Sequence, residues 1–197
     1  MLVFLKERLV FLSVPKTGTT AFHTALRSRA DIVVSNPPEL KHSTIYRYDR
    51  FFRPIFTKLF DTDPEVMAVV REPIDWLGSW YRYRARPALR GQPVSTQGIS
   101  FDDFVRAYLR GVRPEYAKVG SQSKFLTPRR NGVEVEHLFK YEHQDKILEF
   151  LQNRLGDALE LQRENVSPVM PATLSREVED LYRRKCADEF RLHASAT

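Results

Sequence analysis

Residues 11–26, FLSVPKTGTTAFHTAL, constrain the fold more than any other stretch of the chain. The run LVFLSV at 9–14 is apolar almost throughout rather than at alternate positions. That is the signature of a strand covered on both faces, as in parallel sheets. A short polar turn follows, and then Phe22, Ala25 and Leu26 recur at helical spacing, with Arg27 and Arg29 suited to a helix C-terminus. A strand, a glycine turn and a helix start make an anion site, because the free N–H groups of the first helical turn point outward and the helix dipole adds partial positive charge. Gly18 lets an anion approach the backbone, Thr17, Thr19 and Thr20 bring hydroxyls, and Lys16 brings a full charge. The order is not that of a Walker loop, since the lysine precedes the glycine. The plainer alternative is a capped strand–helix connection with a solvated lysine.

Further strand candidates are DIVVS at 31–35, VMAVV at 66–70 and HLFKYE at 137–142, with helices between them in the first half. Such alternation predicts an α/β fold with a central, mainly parallel sheet flanked by helices. The helical segments are 43–60, with Pro54 forcing a kink or a division, then 74–83, the segment opened by Ser100, and QDKILEFLQNRLG closed by Gly156. A last continuous helix over 174–192 has Val178, Leu181, Tyr182 and Phe190 as its inner face. Residues 85–99 hold two prolines and two glycines and read as a loop. No linker or repeat divides the 197 residues, so one domain is expected. The apolar N-terminus is broken by Lys6, Glu7 and Arg8, unlike a signal peptide, and no segment is long enough to span a bilayer. With a single cysteine, Cys186, the reading is a cytoplasmic protein with no membrane partner.

A second segment, VMAVVREPIDWLGSWYRY, puts Arg71 where a buried strand ends and Ser79 about two turns into the next helix. The C-terminal ends of parallel strands share one crevice, so Arg71 and Lys16 are expected on one edge as two separate anion sites. That arrangement suits a ligand with two anionic groups.

At these residues the chain resembles the sulfotransferases. PKTGTT is similar to their 5′-phosphosulfate loop, and VVREPIDWLGSWY to their 3′-phosphate motif. The later pieces QSKFL, FKYEHQDKILEFLQNRLG, NVSP and LYRRKCADEFRL follow the order seen in carbohydrate-type and related bacterial members. The resemblance implies a P-loop-like three-layer sandwich. It also implies 3′-phosphoadenosine 5′-phosphosulfate (PAPS) as sulfuryl donor, held by Lys16, Thr17, Gly18, Thr19, Thr20, Arg71 and Ser79. Two positions depart from the pattern: Glu72, where many relatives have asparagine, and Trp76, where a basic residue is common.

Sulfuryl transfer depends on positioning and on stabilising charge. Lys16 suits the leaving oxygen. The moving group carries one negative charge, and no spaced ligand cluster is visible, so no metal is expected. His42, on a loop after the second strand, is the candidate base, with Glu39 as the alternative and simple helix packing as the plain reading of the histidine. His23 reads as solvated, and His137, His143 and His193 as structural. Ser121, Gln122 and Lys124 are weaker candidates for contact with nucleotide or acceptor. The net charge of +6 and the run of Arg82, Arg84, Arg86 and Arg90 suit an anionic ligand. The expected acceptor is a small molecule or a carbohydrate hydroxyl, and nucleic acid is not an expected partner. The competing functions are a nucleotide-dependent phosphotransferase with a variant loop and a non-catalytic polyanion-binding module.

Overall fold

The computed structural model describes residues 1–156 and 171–197. The NVSP piece at 165–168 lies outside the described residues. Five strands form one mixed sheet: β1 (Leu2–Phe4), β2 (Leu9–Leu12), β3 (Ile32–Val33), β4 (Glu65–Val70) and β5 (His137–Lys140), in the order β3-β1-β2-β4-β5. β2, β4 and β5 are parallel neighbours, with Val10 opposite Val66 and Val70 opposite Lys140. β1 is antiparallel to both β2 and β3. This strand is missing from the sequence reading because LVF is short and its polar hairpin, Lys6 to Arg8, looks like an interruption rather than a turn. Arg8 itself takes a left-handed φ of 53°.

Pleating sends the side chains of these buried strands alternately to two faces. Val10, Leu12, Val66, Ala68 and Val70 pack on one side against Ile45, Tyr48, Phe56, Phe125 and Leu126. Leu9, Phe11, Met67 and Val69 pack on the other against Phe22, Leu26, Ile147 and Leu151. Helices therefore cover both faces. α1 (Thr19–Leu26) and α8 (Gln144–Leu155) lie on the second face. The first is covered by α3 (Ile45–Arg47), α4 (Arg53–Leu59) and α7 (Gln122–Phe125). α2 (Pro38–Lys41) is a single turn before α3.

A third cluster joins α5 (Pro73–Arg84), α6 (Phe101–Tyr108) and α9 (Arg176–Lys185) through Trp76, Leu77, Phe104, Tyr108, Val178 and Tyr182. α10 (Ala187–Ser195) completes the described chain.

Most expected elements are present, with four corrections. β3 is two residues rather than five, since β1 rather than a longer run of pairing holds it. The 43–60 segment is divided by a π-helical turn at Tyr48–Phe52, and Pro54 sits in the first turn of α4, where its missing N–H costs nothing. The last helix breaks at Cys186 (φ −123°), which lets Glu189 turn inward. QSKF is a helical turn rather than surface loop. Ser100 caps α6 by accepting the Asp103 N–H, and Gly156 closes α8 at φ 83°, both as the pattern predicts. Among the described residues no helix is long and apolar enough to cross a membrane.

Candidate active site

The chain leaves β2 through residues 13–18, with Lys16 at φ 68° and Gly18 at φ 73°. Left-handed backbone suits glycine but costs a lysine about 1–2 kcal/mol, so the surroundings must hold the loop. Two bonds do so. The fully buried Thr17 donates its hydroxyl to the Val14 carbonyl at 2.9 Å, and Trp76 Nε1 on α5 donates to the Pro15 carbonyl at 2.8 Å. Trp76 is thus a strut from helix to loop, which accounts for an indole at that position. The Thr17 hydroxyl faces inward and is not a ligand donor.

Gly18 is also the N-cap of α1 and offers no side-chain oxygen. Among the described residues no side chain caps this helix, so the N–H groups of Thr19, Thr20 and Ala21 are open to an anion.

Arg71 follows β4, the parallel neighbour of β2. The Gln122 side chain clamps its backbone, accepting the Arg71 N–H and donating to its carbonyl, both at 2.9 Å. Gln122 is buried, and its turn is anchored by Glu189. That carboxylate, 3% exposed, accepts from Ser121 Oγ, from Ser123 Oγ at 2.8 Å and from the Gln122 and Ser123 N–H groups at 3.2 Å. Gln122 and Ser121 therefore position Arg71, while Lys124 is exposed and joins only through its backbone N–H, which donates to Ser121 Oγ at 3.1 Å.

The Arg71 guanidinium meets one Asp75 oxygen at 2.6 and 2.5 Å, reaches the Lys16 carbonyl at 3.4 Å and stacks 4.5 Å from the Tyr141 ring centre. Asp75, Ser79 and Arg82 share one face of α5 at helical spacing. Arg82 runs back along that face to the other Asp75 oxygen at 3.0 Å, and Ser79 is 6% exposed beneath it. Gly78 makes room, since a Cβ there would stand 3.1 Å from an Arg82 nitrogen.

The two expected anion sites lie side by side, linked by the Arg71 contact with the Lys16 carbonyl. Lys16 Nζ lies 4.3 Å from the Tyr83 ring centre and 5.6 Å from that of Trp80, and Arg86 stacks on Tyr83 at 4.6 Å. Burial, then the charges of Arg86, Arg71 and Arg82, push the Lys16 ammonium down to about 8. Asp75 is the carboxylate paired with Arg71 and Arg82 here.

His42 caps the end of α2, and its Nδ1 lies 2.7 Å from the Ser13 carbonyl. A carbonyl only accepts, so Nδ1 carries the proton and Nε2 presents a lone pair. Burial holds the imidazole below its usual pKa despite the opposing pull of the Ser13 bond, so it is neutral at pH 7. Glu39 is exposed on α2, where its carbonyl accepts from Arg47 at 2.9 Å.

His23 corrects the solvated reading. It is 8% exposed, with Nε2 2.8 Å from Ser13 Oγ and 3.3 Å from the Met1 amino group. Burial and that amino group push it down to about 3. His137 pairs with Glu65 at the far end of β4 (2.9 Å), His143 begins α8, and His193 meets Glu142 at 3.1 Å. Burial raises the Cys186 thiol, consistent with an inert residue.

Glu72 is the N-cap of α5, accepting the Asp75 N–H at 2.8 Å, so the departure from asparagine is a helix cap. Sequence reasoning missed Asp75 and Tyr141, and took Arg82 only as part of a basic run. The helical spacing of Asp75 and Arg82 was a usable signal, whereas Tyr141, against Gly18 and Arg71, had none. A scan against protein-family models gives no match, and no curated protein matches the chain.

Proposed function

We propose that this protein is a sulfotransferase, moving a sulfuryl group from PAPS to an acceptor hydroxyl of a carbohydrate on a P-loop-like three-layer scaffold. One observation carries the reading. Arg71, at the C-terminal end of β4, reaches the Lys16 carbonyl in the loop that follows the neighbouring parallel strand β2 and leads into the uncapped N-terminus of α1. Gly18 and the N–H groups of Thr19, Thr20 and Ala21 hold the 5′-phosphate, and Arg71 and Ser79 hold the 3′-phosphate, where Asp75 yields part of the guanidinium.

His42 Nε2 takes the acceptor's proton as its oxygen bonds to sulfur. The bond from sulfur to the 5′-phosphate oxygen breaks, and Lys16 neutralises the charge left on that oxygen. Because burial keeps the imidazole below its usual pKa, His42 needs no prior proton loss at pH 7.

Transfer itself is the test. Donor labelled in the sulfuryl group is incubated with a panel of saccharides. Labelled saccharide and released adenosine 3′,5′-bisphosphate are expected, and both disappear in His42→Ala and Lys16→Ala. Phosphorylation of the same panel from ATP·Mg²⁺ would assign a phosphotransferase instead.

A further inference from the structure

Six of the chain's large exposed apolar residues fall between positions 40 and 60: Leu40, Tyr46, Phe51, Ile55, Leu59 and Phe60. Only three others, Val33, Tyr83 and Val112, lie elsewhere among the described residues. Scattered apolar residues need no explanation, but a clustered set marks an interaction surface. Arg47 ties the start of the segment together by bonding the Glu39 carbonyl at 2.9 Å, and Tyr48 and Phe56 anchor its inner side in the core. Ile55 and Leu59 sit one turn apart on the outer side of α4, and Leu59 is 75% exposed.

Between positions 45 and 60 the charge is mainly positive. Within 45–60 the cations are Arg47, Arg50, Arg53 and Lys58, against the single acid Asp49. Asp49 is turned aside to Arg53, Arg129 and Asn131, and Arg53 is engaged by Asp63 at 2.5 Å. Arg47, Arg50 and Lys58 are exposed, and Arg50 and Lys58 make no ion pair among the described residues. The exposed acids Glu39 and Asp61 stand at its two ends.

We infer that residues 40–60 dock on an anionic lipid surface, with Phe51, Ile55 and Leu59 entering the interface and Arg47, Arg50 and Lys58 meeting lipid phosphates. Charge complementarity selects this occupant. Pairing with a second copy would set cations against cations around the same stripe, whereas an anionic leaflet matches both the apolar centre and the basic rim. Docking brings the His42 loop, contiguous with Leu40, to the lipid plane, where a hydroxyl acceptor carried on a lipid would be presented. The docking itself does not rest on the sulfuryl-transfer reading, because it is measured without donor or turnover.

The experiment is co-sedimentation of the full chain with vesicles of phosphatidylcholine alone and with about one-third phosphatidylglycerol. Binding is expected only to the anionic vesicles, weakening in high salt. The triple variant Phe51→Ser, Ile55→Ser, Leu59→Ser should reduce the vesicle partition constant about tenfold or more, since these side chains are exposed and contribute little to folding. Arg50→Glu with Lys58→Glu, which leaves the apolar stripe intact, should abolish the preference for anionic vesicles. The inference is overturned if the wild-type protein ignores anionic vesicles or if the triple variant binds them unchanged. It is equally overturned if the wild type is a dimer in solution that the triple variant dissociates.

Discussion

Gly18→Ala tests whether the loop after β2 is built for close approach, and Gly91→Ala is its control. Both glycines have a left-handed φ, 73° and 75°. Forcing alanine into that region costs about 1–2 kcal/mol in either place. At Gly91 nothing lies within 4 Å of the added methyl, so that is the whole effect. At Gly18 the methyl would stand 2.9 Å from Tyr141 Cε2, and the ring must move. That ring carries the Arg71 guanidinium at 4.5 Å, a contact worth about 0.5–2 kcal/mol. The sum for Gly18→Ala is about 1.5–4 kcal/mol, a fall in melting temperature of about 3–16 °C for a chain of this size, against about 2–8 °C for Gly91→Ala. The decisive readout is calorimetric binding of adenosine 3′,5′-bisphosphate. Gly18→Ala should weaken it at least about tenfold, or ~1.4 kcal/mol, while Gly91→Ala leaves it unchanged. If Gly18→Ala melts with the control and binds like the wild type, Gly18 is only a turn residue and the anion-loop argument fails.

Two further predictions concern pH. His42 acts unprotonated and its pKa is held below 6.5, while Lys16 acts protonated and titrates at about 8. The kcat/KM for the donor should therefore rise through a midpoint below 6.5 and fall through about 8, and a profile flat across both limbs contradicts the two roles. His23 has a folded pKa of about 3 against 6.5 unfolded, so the unfolded chain binds the extra proton between those values. Its contribution to stability is fully present above pH 6.5 and is lost as pH falls, at up to about 1.4 kcal/mol per pH unit. Urea midpoints between pH 6.5 and 5 should fall less steeply in His23→Leu, and parallel slopes in the two proteins would refute the assignment.

The part of the fold legible in the sequence was the part fixed by local chemistry. β2 and β4 are buried on both faces and read as such, and Ser100, Gly18 and Gly156 mark helix ends by their own capping chemistry. β1 was illegible because pairing on both sides, not composition, makes three residues a strand. The His23 environment was likewise invisible, since Ser13 and Met1 reach it only once β1 and β2 pair. Within the site, Lys16, Arg71 and His42 could be chosen from motif and position. Their supports, Gln122 on the Arg71 backbone and Tyr141 against Gly18, come from 51 and 123 residues away in the chain and carry no local signal.

The most direct measurement is a calorimetric titration of adenosine 3′,5′-bisphosphate and of AMP, without metal, into the wild-type protein and Arg71→Ala. Arg71 and the Lys16 loop acting on opposite ends of one ligand predict that the bisphosphate binds at least about tenfold tighter than AMP. Arg71→Ala should erase that preference while AMP binding persists. Equal binding of the two nucleotides, or tighter binding of ATP·Mg²⁺, would contradict the account.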